Sequence, residues 1–174
     1  MKIANILSGV LSTTAIASIA LVAHAQVLEN EILEHEANYV EQHQCLALNI
    51  YHEARSQSRL GQKAVGFVTM NRVYHTSYPS TICDVVYQAH LDSRGNPLRN
   101  KCQFSWYCDG KNDDPNDEVK WTEAQNYAHE VMTDYGVKED YTEGAIMYHA
   151  SYVNPYWAGS YDKTVRIDTH IFYK

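Results

Sequence analysis

Glu53 is the residue of this chain best placed to do acid–base chemistry. It lies in the run CLALNIYHEARS (residues 45–56), where Leu46, Ile50 and Ala54 recur at helical spacing and set the acid beside an apolar face. An ionised carboxylate against apolar surface is costly unless paired, and the group escapes that cost by keeping its proton. A carboxylic acid that stays protonated is what glycosidic bond cleavage asks of its general acid. The plain alternative is a half-exposed helix glutamate paired with Arg55 or Arg72.

Other residues offer supporting chemistry. Gln103, Phe104, Ser105 and Trp106 present amide, hydroxyl and aromatic surfaces suited to N-acetyl sugars, or else form a pinned structural loop. Tyr148 and His149 are placed to hydrogen-bond a sugar or to orient Glu53, although a lone histidine is more often structural. Trp157 reads as a stacking residue or a core plug, and His170 as structural. A second carboxylate, the usual companion in glycoside cleavage, is sought among Asp84, Asp92, Asp109, Asp140, Glu143, Asp162 and Asp168, with Asp109 and Glu143 as candidates. A competing metal reading draws on His52, Glu53, His149 and His170 for a zinc site. Against it, adjacent helical residues point about 100° apart, so His52 and Glu53 rarely reach one ion. No metal and no cofactor is expected.

The stretch from Leu46 to Val73 resembles the SleB-type cell wall hydrolase family, whose signature is Ala-x-x-Ile-x-x-Glu-Ala-x-x-Glu followed by Gly-Gln-x-Ala-Val-x-x-Val-x-x-Asn-Arg-Val. Here it reads Ala47, Ile50, Glu53-Ala54, then Gly61-Gln62, Ala64-Val65, Val68 and Asn71-Arg72-Val73. Further matches are the runs YPSTI (residues 78–82), VYQ (86–88) and QFS (103–105). Thr142, Gly144-Ala145, Tyr148-His149, Pro155, Trp157 and HIFY (170–173) complete them. The resemblance implies a lysozyme-like fold, peptidoglycan glycan strands as substrate and Glu53 as the catalytic acid. It further implies a lytic transglycosylase: one glutamate protonates the leaving oxygen, then accepts the muramic acid 6-hydroxyl proton, closing a 1,6-anhydro ring. The family's second acid is Gln57 here, which disfavours a carboxylate nucleophile but suits a single-acid mechanism. The competing readings are a zinc-dependent N-acetylmuramoyl-L-alanine amidase and a non-enzymatic wall-binding domain; an intact Glu53 argues against the latter.

Met1-Lys2, an uncharged apolar run over residues 3–23 and Ala23-His24-Ala25 predict a leader over residues 1–25 that is cleaved before Gln26. Export to the periplasm, wall or exterior follows, with no stable membrane anchor afterwards; the alternative is a retained anchor. A formal charge of −7 excludes a nucleic-acid partner, whose binders present a basic face, and a monomer is expected. Cys45, Cys83, Cys102 and Cys108 form an even set, which in an exported chain reads as two disulfides. A bridge between Cys102 and Cys108 would staple the aromatic segment between them and leave Cys45 to Cys83; four cysteines allow three pairings.

The elements that must position these groups follow from periodicity. Residues 26–44 form an acidic helical lead-in to a catalytic domain over residues 45–174. Helices are predicted over 46–54, 62–74 and 81–88, with Gly61 as a stop or start signal. Residues 89–118 read as a long polar loop, and Thr122 with Gln125 as a capping box opening a helix to Tyr135. Residues 164–172 alternate as one strand, with 145–148 as its partner. The fold class is α+β: mostly helical, with a small antiparallel sheet near the C-terminus.

Overall fold

The computed structural model describes the backbone of residues 4–174 and the side chains of residues 24–174. Residues 1–23 of the expected leader lie outside the described side chains, and cleavage remains an expectation. The chain divides into two units, one reaching Val40 and the other running from Glu41 to Lys174; helix α1 (Ala4–Ala54) contributes to both. In the first unit Val27, Leu28, Ile32, Leu33 and Val40 are exposed. Among the described residues no helix is long and apolar enough to cross a membrane.

The second unit is organised around α2 (Arg59–Val73), whose residues from Gly61 to Met70 are all buried. One core lies between the end of α1, α2, α3 (Ile82–Val86) and α4 (Glu118–Asp134), built from Leu46, Ile50, Phe67, Val85, Val86 and Val131. Each such side chain contributes about 1.5–3 kcal/mol by leaving water. Gly66 lets these helices close together, since a Cβ there would sit 3.1 Å from both Ile50 and Val131. A smaller core of Ala64, Val68, Ala145, Ile167 and Phe172 joins α2 to a sheet. That sheet is antiparallel, in the order β3 (Met147–Ala150), β5 (His170–Tyr173), β4 (Lys163–Ile167). The architecture is thus α+β, with the sheet where the alternation placed it.

Several boundaries differ from expectation, each for a local reason. The segment read as a single strand over 164–172 is two strands joined by a tight turn at Asp168 and Thr169, where Asp168 takes a φ of 48°. Ile167 pairs with His170 across this two-residue turn, so the core face passes from Val165 and Ile167 to His170 and Phe172, a change of phase that the alternation of residue types along 164–172 does not reveal. The polar stretch 89–118 is not one loop: β1 (Ala89–Leu91) pairs with β2 (Pro97–Cys102), and a 3-10 turn covers Ser105–Cys108. The β1–β2 turn is built by Asp92, whose carboxylate accepts from the N–H groups of Arg94 and Asn96. Helix α4 opens on Asp117, which accepts from the N–H of Lys120 at 3.0 Å; Thr122 instead donates to the Glu118 carbonyl within the helix.

Gly61 is neither a stop nor a start. It lies inside α2, three residues after the cap Ser58, where any Cβ would meet the Asp168 carboxylate and the Gln57 side chain. That carboxylate accepts from the N–H of Ser58 at 2.9 Å and from its hydroxyl at 2.7 Å. The β4–β5 turn therefore places a negative charge at the positive end of α2, a favourable arrangement for the helix dipole. Both disulfides form, Cys45–Cys83 and Cys102–Cys108. Closing their 38- and 6-residue separations is worth about 4 and about 2 kcal/mol on the chain-entropy account.

Candidate active site

Glu53 stands on the last turn of α1 and lines a cleft of about 240 Å³. Its walls are Arg72 from α2, Cys102 at the end of β2 with residues 103–105 after it, Met147 and Tyr148 from β3, and Trp157 from a 3-10 turn over Tyr156–Ser160. Glu53 is the one carboxylate lining this cleft among the described residues. The Tyr148 hydroxyl donates to Glu53 Oε2 at 3.0 Å. Burial pushes the Glu53 pKa up; the Tyr148 hydrogen bond and the Arg72 charge pull part of the way back, and the net result lies above the usual carboxylate range. Burial, with the Glu53 charge adding to it, drives the Tyr148 phenol well above its ordinary value, so Tyr148 stays a neutral donor.

Arg72 is the residue that sequence reasoning undervalued, treating it only as a possible ion-pair partner for Glu53. It is 2% exposed and makes no ion pair with a carboxylate among the described residues. Its Nε donates to the Ile146 carbonyl at 2.7 Å, and its guanidinium lies against the rings of Tyr78 and Phe104, 5.4 and 5.1 Å from their centroids. The Gln103 amide, with its oxygen turned inward, accepts from the same guanidinium at 3.3 Å. Burial lowers the Arg72 pKa, and the neighbouring Tyr148, Tyr78 and Glu53 oppose that. The available signal was an arginine inside a helix too apolar to have a solvent face.

The adjacent Asn71 explains why the Asn-Arg pair and the Thr-x-Gly-Ala segment occur together. Its amide donates to Asp140 at 2.8 Å and to the Ala145 carbonyl at 3.0 Å, and its oxygen accepts from the Tyr135 hydroxyl at 2.9 Å. Asn71 and Arg72 thus grip the chain from 140 to 146, which fixes where β3 begins and so where Tyr148 points.

The remaining expected residues separate into two groups. Gln103, Phe104, Ser105, Tyr148 and Trp157 line the cleft with Glu53. Trp106 and His149 do not. Trp106 is buried in the core, donates to Asn49 Oδ1 at 3.2 Å and stacks on His52 at 4.5 Å. Its buried partner Asn49 is satisfied on the other side by Thr69, to which it donates at 3.0 Å. His149, one residue past Tyr148 on β3, stacks on Tyr173, bonds its hydroxyl at 2.9 Å and meets Trp157 edge-on from behind. Strand alternation makes that separation inevitable.

The candidate second acids also lie elsewhere. Asp109 pairs with Lys111 at 3.1 Å and lines a separate hollow beside His52 and Trp106. Glu143 is exposed in the turn before β3, at a φ of 59°. Gln57 accepts from the Thr169 hydroxyl at 2.9 Å and from its N–H at 3.3 Å, tying the end of α1 to the β4–β5 turn. The histidines of the zinc reading are dispersed: His52 on Trp106, His149 on Tyr173, His170 against Tyr148. Among the described residues no three His, Cys, Asp or Glu side chains are gathered to hold a metal ion.

A mostly helical domain with a small antiparallel sheet is a lysozyme-like α+β arrangement, and solved structures share that fold. The catalytic domain of the germination-specific lytic transglycosylase SleB from Bacillus anthracis superimposes with a TM-score of 0.59 at 25% identity, covering 76% of this chain and 93% of that one. The catalytic domain of the Bacillus cereus SleB protein gives 0.53 at 25% identity, covering 76% and 89%. Residues 56–173 match the cell wall hydrolase family, and the chain belongs to it. Among curated proteins the chain has no match.

Proposed function

We propose that this cell wall hydrolase cleaves the MurNAc–GlcNAc glycosidic bond of peptidoglycan as a lytic transglycosylase, with Glu53 as its single acid and base. The observation that carries this reading is Glu53, with its pKa raised by burial and the Tyr148 hydroxyl on Oε2, as the one carboxylate lining its cleft among the described residues. Tyr148 occupies Oε2, leaving the acid proton to Oε1. That proton passes to the leaving glycosidic oxygen as the C1–O bond breaks. The carboxylate so formed is stabilised by the Tyr148 hydroxyl and the field of Arg72. It then takes the proton of the muramic acid 6-hydroxyl as that oxygen bonds to C1 and closes the anhydro ring, returning Glu53 to its acid form. Arg72 lies outside ion-pair contact with Glu53, so it supports the transient anion without removing the proton beforehand. Trp157 and Phe104 supply apolar walls, and Gln103 and Ser105 polar ones, for a sugar bearing N-acetyl groups. Glycan strands as substrate, together with the leader expected at the N-terminus, support a working enzyme outside the cytoplasm.

Mass spectrometry of the soluble fragments released from purified peptidoglycan tests this. Anhydro-muropeptides are expected. Reducing-end muropeptides would reject the transglycosylase, and sugar-free stem peptides would reject glycosidic cleavage itself.

A further inference from the structure

Met147 lines the Glu53 cleft beside Arg72 and is half-buried, yet the acid–base steps above give it no part. Its sulfur has unusual company. Arg72 Nη2 donates to Met147 Sδ at 3.8 Å, and the Tyr78 hydroxyl donates to the same sulfur at 3.6 Å. A thioether is a weak acceptor, so two donors, one of them a buried cation, converge on a poorly matched partner. The other partners of Arg72 are oxygens, the Ile146 carbonyl and the Gln103 amide.

The surroundings direct an oxidant to thioethers. All four cysteines, Cys45, Cys83, Cys102 and Cys108, are disulfide-bonded, so no free thiol competes for it. Met70 is 7% exposed within the core, and Met132 packs against that core from its edge; neither lines the cleft.

We propose that Met147 is an oxidative modification site, at which hydrogen peroxide converts the thioether to the sulfoxide and so switches the enzyme off reversibly. The sulfur lone pair attacks one peroxide oxygen, the O–O bond breaks, and the second oxygen leaves with the proton of the first as water. Sulfur loses two electrons and the peroxide gains them. The new S–O oxygen is a strong acceptor held where the Arg72 and Tyr78 donors already point. Separations that are long for a bond to sulfur become ordinary once the acceptor is an oxygen carried by that sulfur. The oxygen turns an apolar part of a cleft of about 240 Å³ polar, and it weakens the field that Arg72 exerts at Glu53. The inference goes beyond the glycan reading and holds whichever bond the enzyme cleaves.

The test doses the full protein with hydrogen peroxide and reads peptide mapping by mass spectrometry and lysis of purified peptidoglycan on the same samples. Met147 is expected to gain one oxygen ahead of Met132 and Met70. Lysis is expected to fall about tenfold in step with it, the scale of one charge-assisted hydrogen bond, and to return when methionine sulfoxide reductase is added. Met147→Leu, a volume-conserving change, is read against its own untreated rate, which the same dose is expected to leave within about twofold. Met132→Leu is expected to stay as sensitive as the wild type. Met147 sulfoxide with lysis unchanged, lysis lost while Met147 is unmodified, or an equal loss in Met147→Leu overturns the proposal. Should the leucine variant fail to fold, as its melting temperature shows, the wild-type time course and the reductase rescue decide. Product analysis of the untreated protein tests the glycosidic reading separately.

Discussion

Two sets of carboxylates in this domain are pushed in opposite directions. On α4, Glu130 lies 2.7 Å from Arg59 and 3.1 Å from Lys63, and Asp134 lies 3.1 Å from Lys63 and 2.8 Å from Lys138. Asp134 is held below the usual range chiefly by its hydrogen bond to Lys138. For Glu130, burial pushes upward, but Arg59 and Lys63 outweigh it. Glu53 is also pushed upward by burial, yet it has only a neutral phenol in contact and a guanidinium at a distance, and there burial wins. Whether a cation touches the carboxylate decides whether the acid serves the fold or keeps a proton to donate.

The sharpest way to break this contrast is Glu53→Gln. Lysis of purified peptidoglycan is expected to fall by about a thousandfold, within the range a general acid supplies, while the melting temperature holds. Retention of substantial activity would remove Glu53 from the mechanism.

Opposed pKa shifts also predict opposed pH responses. The depressed pKa values of Glu130 and Asp134 give stability that is present above the ordinary carboxylate range and lost as pH falls through the depressed values. The raised pKa of Glu53 works the other way. Its proton is held at low pH, and both its stabilising effect and the acid function are lost as pH rises through that value. Thermal unfolding across pH is expected to weaken on the acid side, and kcat/KM to fall on the alkaline side. If Glu53→Gln moves the acid-side loss of stability, the two sets are not independent.

Lys63→Ala sharpens the same point, since Lys63 bridges Glu130 and Asp134. A loss of a few degrees in Tm is expected, with the alkaline limb of activity unmoved. Tyr148→Phe has the smallest effect and the most specific one. It deletes the hydrogen bond that favours the Glu53 carboxylate, so the alkaline limb moves to higher pH. A limb that moves to lower pH or stays in place would show that Tyr148 does not tune the acid.

The helices were legible from their apolar periodicity, which in α2 covers several faces, whereas their caps Ser58, Thr81 and Asp117 emerge only in the structure. Competing polar residues misled the choice of cap at α4. The β1–β2 hairpin was not legible, since Leu98, Arg99, Asn100 and Lys101 are all exposed and leave no buried alternate face to reveal a strand. Within the site, Glu53 was found from its apolar surroundings, and the segment 103–105 from its chemistry and family likeness. Trp106 was misplaced because a tryptophan beside sugar-binding residue types looks the same whether it faces a cleft or, as here, a buried asparagine. Arg72 went unvalued because its partners are a carbonyl, two rings and an amide brought together only by folding.

The bridge between Cys102 and Cys108 closes the short segment that carries Gln103, Phe104 and Ser105 into the cleft. With both thiols reduced, that wall keeps the burial of Phe104 and Trp106 and the bond from the Gln103 N–H to the Gln88 carbonyl, but loses the covalent tie between the end of β2 and the turn that follows. On the chain-entropy account this bridge is worth about 2 kcal/mol, and it is spent on the segment that faces Glu53 across the cleft rather than on the helix that carries the acid.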